Sequence, residues 1–80
     1  MSKLLLSLAW LIRRIRMEKS MHQKDLAKNV GVSTMTVGHI ERGDRWPSME
    51  NFVKIAIELE EEPGALLQRA YEDSLTVRKK

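Results

Sequence analysis

A chain of 80 residues with 42% hydrophobic and 31% charged side chains bounds a single domain with a small core and excludes whole-chain disorder. With no cysteine there are no disulfides or thiolate metal sites, and His22 and His39 alone do not make a histidine-rich metal site, so no metal and no cofactor is expected. The net charge of +3 is unevenly spread: through Arg45 there are nine Lys/Arg against four Asp/Glu, from Trp46 to Leu75 two against seven, and Arg78, Lys79 and Lys80 close the chain. That polarity fits one face turned to a polyanion and another turned away from it.

Leu4, Leu8, Ile12 and Ile15 recur at steps of four, four and three, which predicts an amphipathic first helix from about Leu4 to Lys19. Lys3 before an apolar run resembles a signal-peptide start. However, Leu4–Ile12 is too short to span a bilayer, and RRIRMEK follows it instead of a small-residue cleavage site. No membrane association and a cytoplasmic location are therefore expected. Residues 1–7 read as an apolar extension of this helix. Leu5, Trp10 and Leu11 exceed the stripe, which makes them candidates for a dimer or partner surface. Met21 reads as a core plug, and His22 stands at a helix N-cap, where histidine is poor.

Gln23–Ile40 reads as two short helices around a sharp turn. Leu26, Ala27 and Val30 share one face, Gly31 suits a left-handed cap, and Ser33 can cap the next helix, which buries Val37 and Ile40. Its outer side is expected to carry Thr34, Met35, Gly38 and His39. A small, mostly polar outer face held by such a turn is the plan of a helix-turn-helix. Gly43 closes that helix, and Trp46 reads as a lid over the core. Ser48 caps a fourth helix expected to bury Met49, Phe52, Val53, Ala56 and Leu59, with Ile57 exposed. Pro63 opens a fifth helix running to about Asp73. Its apolar side is Leu66, Leu67, Ala70 and Tyr71, of which Leu67 and Tyr71 join the candidate partner surface. Residues 76–80 are a basic tail expected to fray. The expected fold is all-α, a five-helix bundle forming one domain over residues 1–80.

In combination these elements resemble the lambda-repressor-like helix-turn-helix family, the phage-repressor, Cro and XRE group. The resemblance rests on Ile-Arg before the first loop, Gln23 opening the second helix, Leu-Ala within it, and Gly-Val-Ser at the turn. Ile-Glu-Arg-Gly after the third helix and Pro-Ser before the fourth complete the set. It implies a five-helix bundle that places its third helix in the major groove of double-stranded DNA, usually as a homodimer on a two-fold symmetric operator.

By motif position the resemblance implies that Thr34, Met35, Gly38 and His39 face bases. Gln23, Ser33, Thr36, Arg42, Gly43 and Arg45 would meet phosphate or sugar, and Arg16 with Glu41 would form a structural brace. Thr34 and His39 can hydrogen-bond base edges, and Met35 can pack on a thymine methyl. Ser20 and Glu60 stand where the family often has glycine, His22 where it often has Ser or Thr, and Glu62-Pro63 replace the usual cap.

The expected function is a sequence-specific transcriptional regulator, a small dimeric repressor. An antitoxin or restriction-modification controller is an alternative within DNA binding. An interaction module that binds a protein partner instead of DNA is an alternative of another class. The acidic run Glu58–Glu62 comes with no nucleophile, metal ligands or phosphate-binding loop, so an enzyme is not expected.

Overall fold

The computed structural model describes residues 2–76. They form five helices: α1 (Lys3–Glu18), α2 (Gln23–Val30), α3 (Thr34–Glu41), α4 (Met49–Glu58) and α5 (Pro63–Ser74). Of the expected basic tail, residues 77–80 lie outside the described residues. Among the described residues no helix is long and apolar enough to cross a membrane.

Four of the five helices begin on a side-chain acceptor, which satisfies amide groups that the helix itself leaves open. Ser2, Ser33 and Ser48 accept from the amides of Leu5, Thr36 and Asn51, at 3.1, 3.0 and 3.1 Å. At α2 the poor cap His22 is offset from three residues on, because the Asp25 carboxylate accepts from the His22 amide at 3.0 Å. At α5 Glu62 caps with its own carboxylate, accepting from Ala65 N at 2.6 Å, and Pro63 follows at the first helical position.

The core is built from Leu8, Leu11, Ile12, Ile15, Leu26, Val37, Ile40, Phe52, Ile55, Leu59 and Leu66. It departs from the expected pattern in three places. Leu5 and Leu11, expected on a partner surface, are buried. The reason is that α1 packs on both α5 and α3, so it needs a wider apolar arc than one stripe. In α4 and its C-cap the covered positions are Phe52, Ile55, Ala56 and Leu59, while Val53 is only half-buried. Met49, expected in the core, is 76% exposed and rims a groove beside the first turn. In α5 only Leu66 and Ala70 are covered, while Leu67 and Tyr71 stay exposed.

Ser20 and Glu60 both adopt positive φ, 58° and 60°, in the turns after α1 and α4. In each turn the next amide reaches five residues back, Met21 N to Arg16 O at 3.1 Å and Glu61 N to Ala56 O at 2.8 Å. Lys19 Nζ and Glu60 Oε1, 2.7 Å apart, tie the two turns together. A left-handed backbone costs a non-glycine residue about 1–2 kcal/mol, part of which glycine returns through its freer unfolded chain. Ser20→Gly is therefore expected to stabilise the fold by about 1 kcal/mol, raising the thermal midpoint by roughly 4–8 °C. An unchanged or lower midpoint in a thermal melt would refute this.

Glu60→Gly relieves the same strain but loses the Lys19 contact, so its net effect is smaller. Lys19, through its hydrogen bond and charge, holds the Glu60 carboxyl below its ordinary range. The contribution of this contact is therefore complete above the ordinary carboxylate pKa and lost as pH falls through the lowered value.

Ser7 is 1% exposed, and its Oγ is the buried side-chain atom without a hydrogen-bond partner among the described residues. An unsatisfied buried hydroxyl costs about 1 kcal/mol or more. Ser7→Ala is expected to raise the unfolding free energy by about that amount in urea titration. A loss of stability would show that the hydroxyl is satisfied.

Candidate nucleic-acid interface

The α2–α3 corner is set by local chemistry. Gly31 ends α2 at φ 90°, and its amide and that of Val32 both return to Ala27 O. Ser33 then starts α3. Leu26, Ala27, Val30, Val37 and Ile40 bury the inner faces of the pair. This leaves Ser33, Thr34 and Met35 exposed, Met35 at 71%, while Thr36 and His39 are half-buried. Ser33 Oγ and Thr36 Oγ1 are 2.9 Å apart, so these two hydroxyls are held together at the start of the helix.

A buried ion pair anchors the other end of α3. Arg16 grips Glu41 bidentately, Nε to Oε2 at 2.6 Å and Nη2 to Oε1 at 3.0 Å, and donates from Nη1 to Met21 O at 2.6 Å. Gln23 Nε2 donates to the same Glu41 Oε1 at 3.0 Å. One carboxylate thus links α1, the start of α2 and the end of α3, and bidentate geometry fixes orientation as well as distance. The second Nε2 hydrogen of Gln23 is not used by this contact.

The chain after α3 folds back on it. Gly38, expected on the open outer side, is buried: an added Cβ would lie 3.1 Å from Arg42 Nη1 and 3.9 Å from Gln23 Oε1. It is covered because the Arg42 side chain returns along the helix. Arg42 Nε donates to Asp44 Oδ2 at 3.2 Å, and Nη2 meets His39 Nδ1 at 3.1 Å. Gly43 is buried at φ 75°, where a Cβ would stand 2.8 Å from Leu6 Cδ2. Leu6 therefore buttresses this loop from α1, and one role of the apolar extension is to support it. Arg45 is exposed beyond the turn.

Three contributors escaped the sequence reading. Asp25 and Asp44 each lie within three residues of the group they hold, a signal available in the sequence. Leu6 carries no such signal, since its contact depends on how α1 is rotated.

The remaining candidates lie elsewhere. Trp10 is 41% exposed with the Arg14 guanidinium 5.1 Å over its ring. Trp46, expected as a lid, is 45% exposed. It walls an apolar groove of about 220 Å³ with Leu4, Leu8, Pro47, Met49, Phe52 and Leu67.

A family model described as helix-turn-helix matches residues 12–66, more than half of the chain and the whole of the corner described above. The chain belongs to the lambda-repressor-like helix-turn-helix family. No curated protein sequence matches it. Among solved structures it is similar to the restriction-modification controller protein C.AhdI from Aeromonas hydrophila. The two are 35% identical with a TM-score of 0.73, over 78% of this chain and 94% of that one.

It is also similar to a point mutant of C.Esp1396I bound to its highest-affinity operator site, at 28% identity and a TM-score of 0.82, over 95% of this chain and 100% of that one. The clp gene regulator ClgR from Corynebacterium glutamicum shares the fold with a TM-score of 0.83. It is 24% identical, over 90% of this chain and 77% of that one. The helix-turn-helix corner of this family member is therefore α2, Gly31–Ser33 and α3.

Proposed function

We propose that this helix-turn-helix protein is a sequence-specific regulator of transcription that binds double-stranded DNA as a homodimer. In this reading α3 enters the major groove. Thr34, Met35 and His39 meet base edges, and Gln23, Ser33, Thr36 and Arg45 meet phosphate or sugar. The observation that carries it is the triple anchorage of α3 by Glu41, at 2.6 and 3.0 Å to Arg16 and 3.0 Å to Gln23. This fixes an exposed helix face whose Thr34 and Met35 side chains do no packing work.

Within that function the restriction-modification controller is the favoured reading, on the 35% identity to C.AhdI across 94% of that chain. The exposed Leu67, Tyr71 and Trp10, together with the Trp46–Met49 groove, supply apolar surface for the second copy.

Selection of bound duplexes from a random pool at physiological salt tests this. A two-fold symmetric consensus with half-sites about one helical turn apart is expected. An asymmetric single site would remove the dimer, and no enrichment at all would remove DNA binding.

A further inference from the structure

His39 is bound through one ring nitrogen to a partner that can only donate. Arginine has five N–H groups and no acceptor, so at 3.1 Å from Arg42 Nη2 the His39 Nδ1 is placed to accept, with the Asp44 carboxylate Oδ2 farther off at 3.7 Å from the same nitrogen. In a neutral ring that accepts this bond the proton sits on Nε2. Arg42 is itself held from two sides: Asp44 Oδ2 takes its Nε at 3.2 Å, and Gly38 offers a flat seat, since a Cβ there would come within 3.1 Å of Nη1. Asp44 in turn is tied to α3 by its amide, which donates to His39 O at 2.9 Å. Gly38, His39, Arg42 and Asp44 thus form a closed local unit. Its effect is to present one nitrogen of one ring as a donor.

We propose that Arg42 acts chiefly as a positioning residue for His39, fixing Nε2–H as a donor so that α3 selects guanine at the base pair His39 reaches. This rests on the DNA-binding reading above and adds the identity of one base. A lone donor needs an acceptor edge. Guanine presents two acceptors, N7 and O6, side by side in the major groove. Adenine flanks its N7 with an amino donor, thymine offers a single acceptor, O4, beside its methyl, and cytosine presents only an amino donor there. Guanine is thus favoured and cytosine opposed. Arg42, at the edge of the loop, would otherwise serve as a phosphate contact with no base preference.

Two measurements on the full chain test this. In the free protein at about pH 8, long-range ¹⁵N–¹H spectra should show His39 as the Nε2–H tautomer alone. In Arg42→Ala the ring should relax to the tautomer mixture of free imidazole. In duplex selection, wild type should prefer guanine over cytosine at one position per half-site by about fivefold. That preference should vanish in both His39→Ala and Arg42→Ala, while Arg45→Ala lowers affinity and keeps it.

A fixed tautomer in Arg42→Ala, or a guanine preference that survives that substitution, overturns the proposal. Failure of wild type to enrich any duplex sinks the DNA-binding reading and the base preference with it, and the free-chain spectrum still decides separately whether Arg42 fixes the ring.

Discussion

Glu41→Ala is expected to lower the unfolding free energy by about 3–5 kcal/mol. Arg16 and Glu41 are both buried. Removing the carboxylate leaves the Arg16 guanidinium with Met21 O as its remaining partner and strands Gln23 Nε2 as well. A domain of this size has only about 5–15 kcal/mol to lose, so a shift of roughly 15 °C or more in the thermal midpoint should follow.

The brace need not be a net source of stability. Two charges taken from water forfeit hydration that their attraction only partly returns, so the pair is weak evidence for stability while its rupture is costly. The double substitution Arg16→Met with Glu41→Leu separates the two ideas. It should recover most of the stability lost in Glu41→Ala while loosening the end of α3. Urea titration of wild type, single and double variants would decide it. A single variant within about 1 kcal/mol of wild type would show that Glu41 is not the anchor of the corner.

The second large effect is on binding. If about two to three phosphates are neutralised per protomer, by Arg45 and neighbouring cations such as Lys24 and Lys28, a dimer displaces about four to six counterions. Affinity for a specific duplex should then fall by roughly 10²–10³-fold between 50 and 200 mM salt. Arg45→Ala should flatten the slope of log affinity against log salt by about two per dimer. Arg42→Ala should flatten it less, because that side chain is engaged by Asp44 and His39 at 3.2 and 3.1 Å. Fluorescence anisotropy across a salt series reads both slopes. A salt-independent affinity, or an equal change of slope for Arg42 and Arg45, would contradict this division of labour.

Much of the fold could be read from local signals. Gly31 and Ser33 mark the turn because their chemistry acts within a residue or two, and the helical spacing of Leu26, Ala27 and Val30 needs no partner to be seen. What the sequence hid were properties of neighbours. Leu5 and Leu11 looked surplus to a single stripe because the number of helices packing on α1 is a tertiary fact. Met49 shares the stripe of Phe52 yet lies in the first turn of α4, at the rim of the groove.

The outer face of α3 shows the same division. Thr34 and Met35 follow from helix phase alone. Gly38 is buried by a side chain four residues later, whose path no periodicity encodes. Ser20 and Glu60 stood out in the sequence as departures from glycine, and the structure gives the physical reason that glycine would suit both places, their positive φ.

In the proposed complex DNA meets the start of α3 and the loop after it. Amide chemical-shift mapping of the full chain, titrated with the duplex that selection enriches, tests this most directly. Perturbations concentrated on Gln23, Ser33–Thr36, His39 and Gly43–Arg45, with Trp10 and Arg14 unmoved, are the expected result. Shifts confined to the Trp46–Met49–Leu67 groove, with α3 silent, would contradict the account and assign the domain to protein recognition instead.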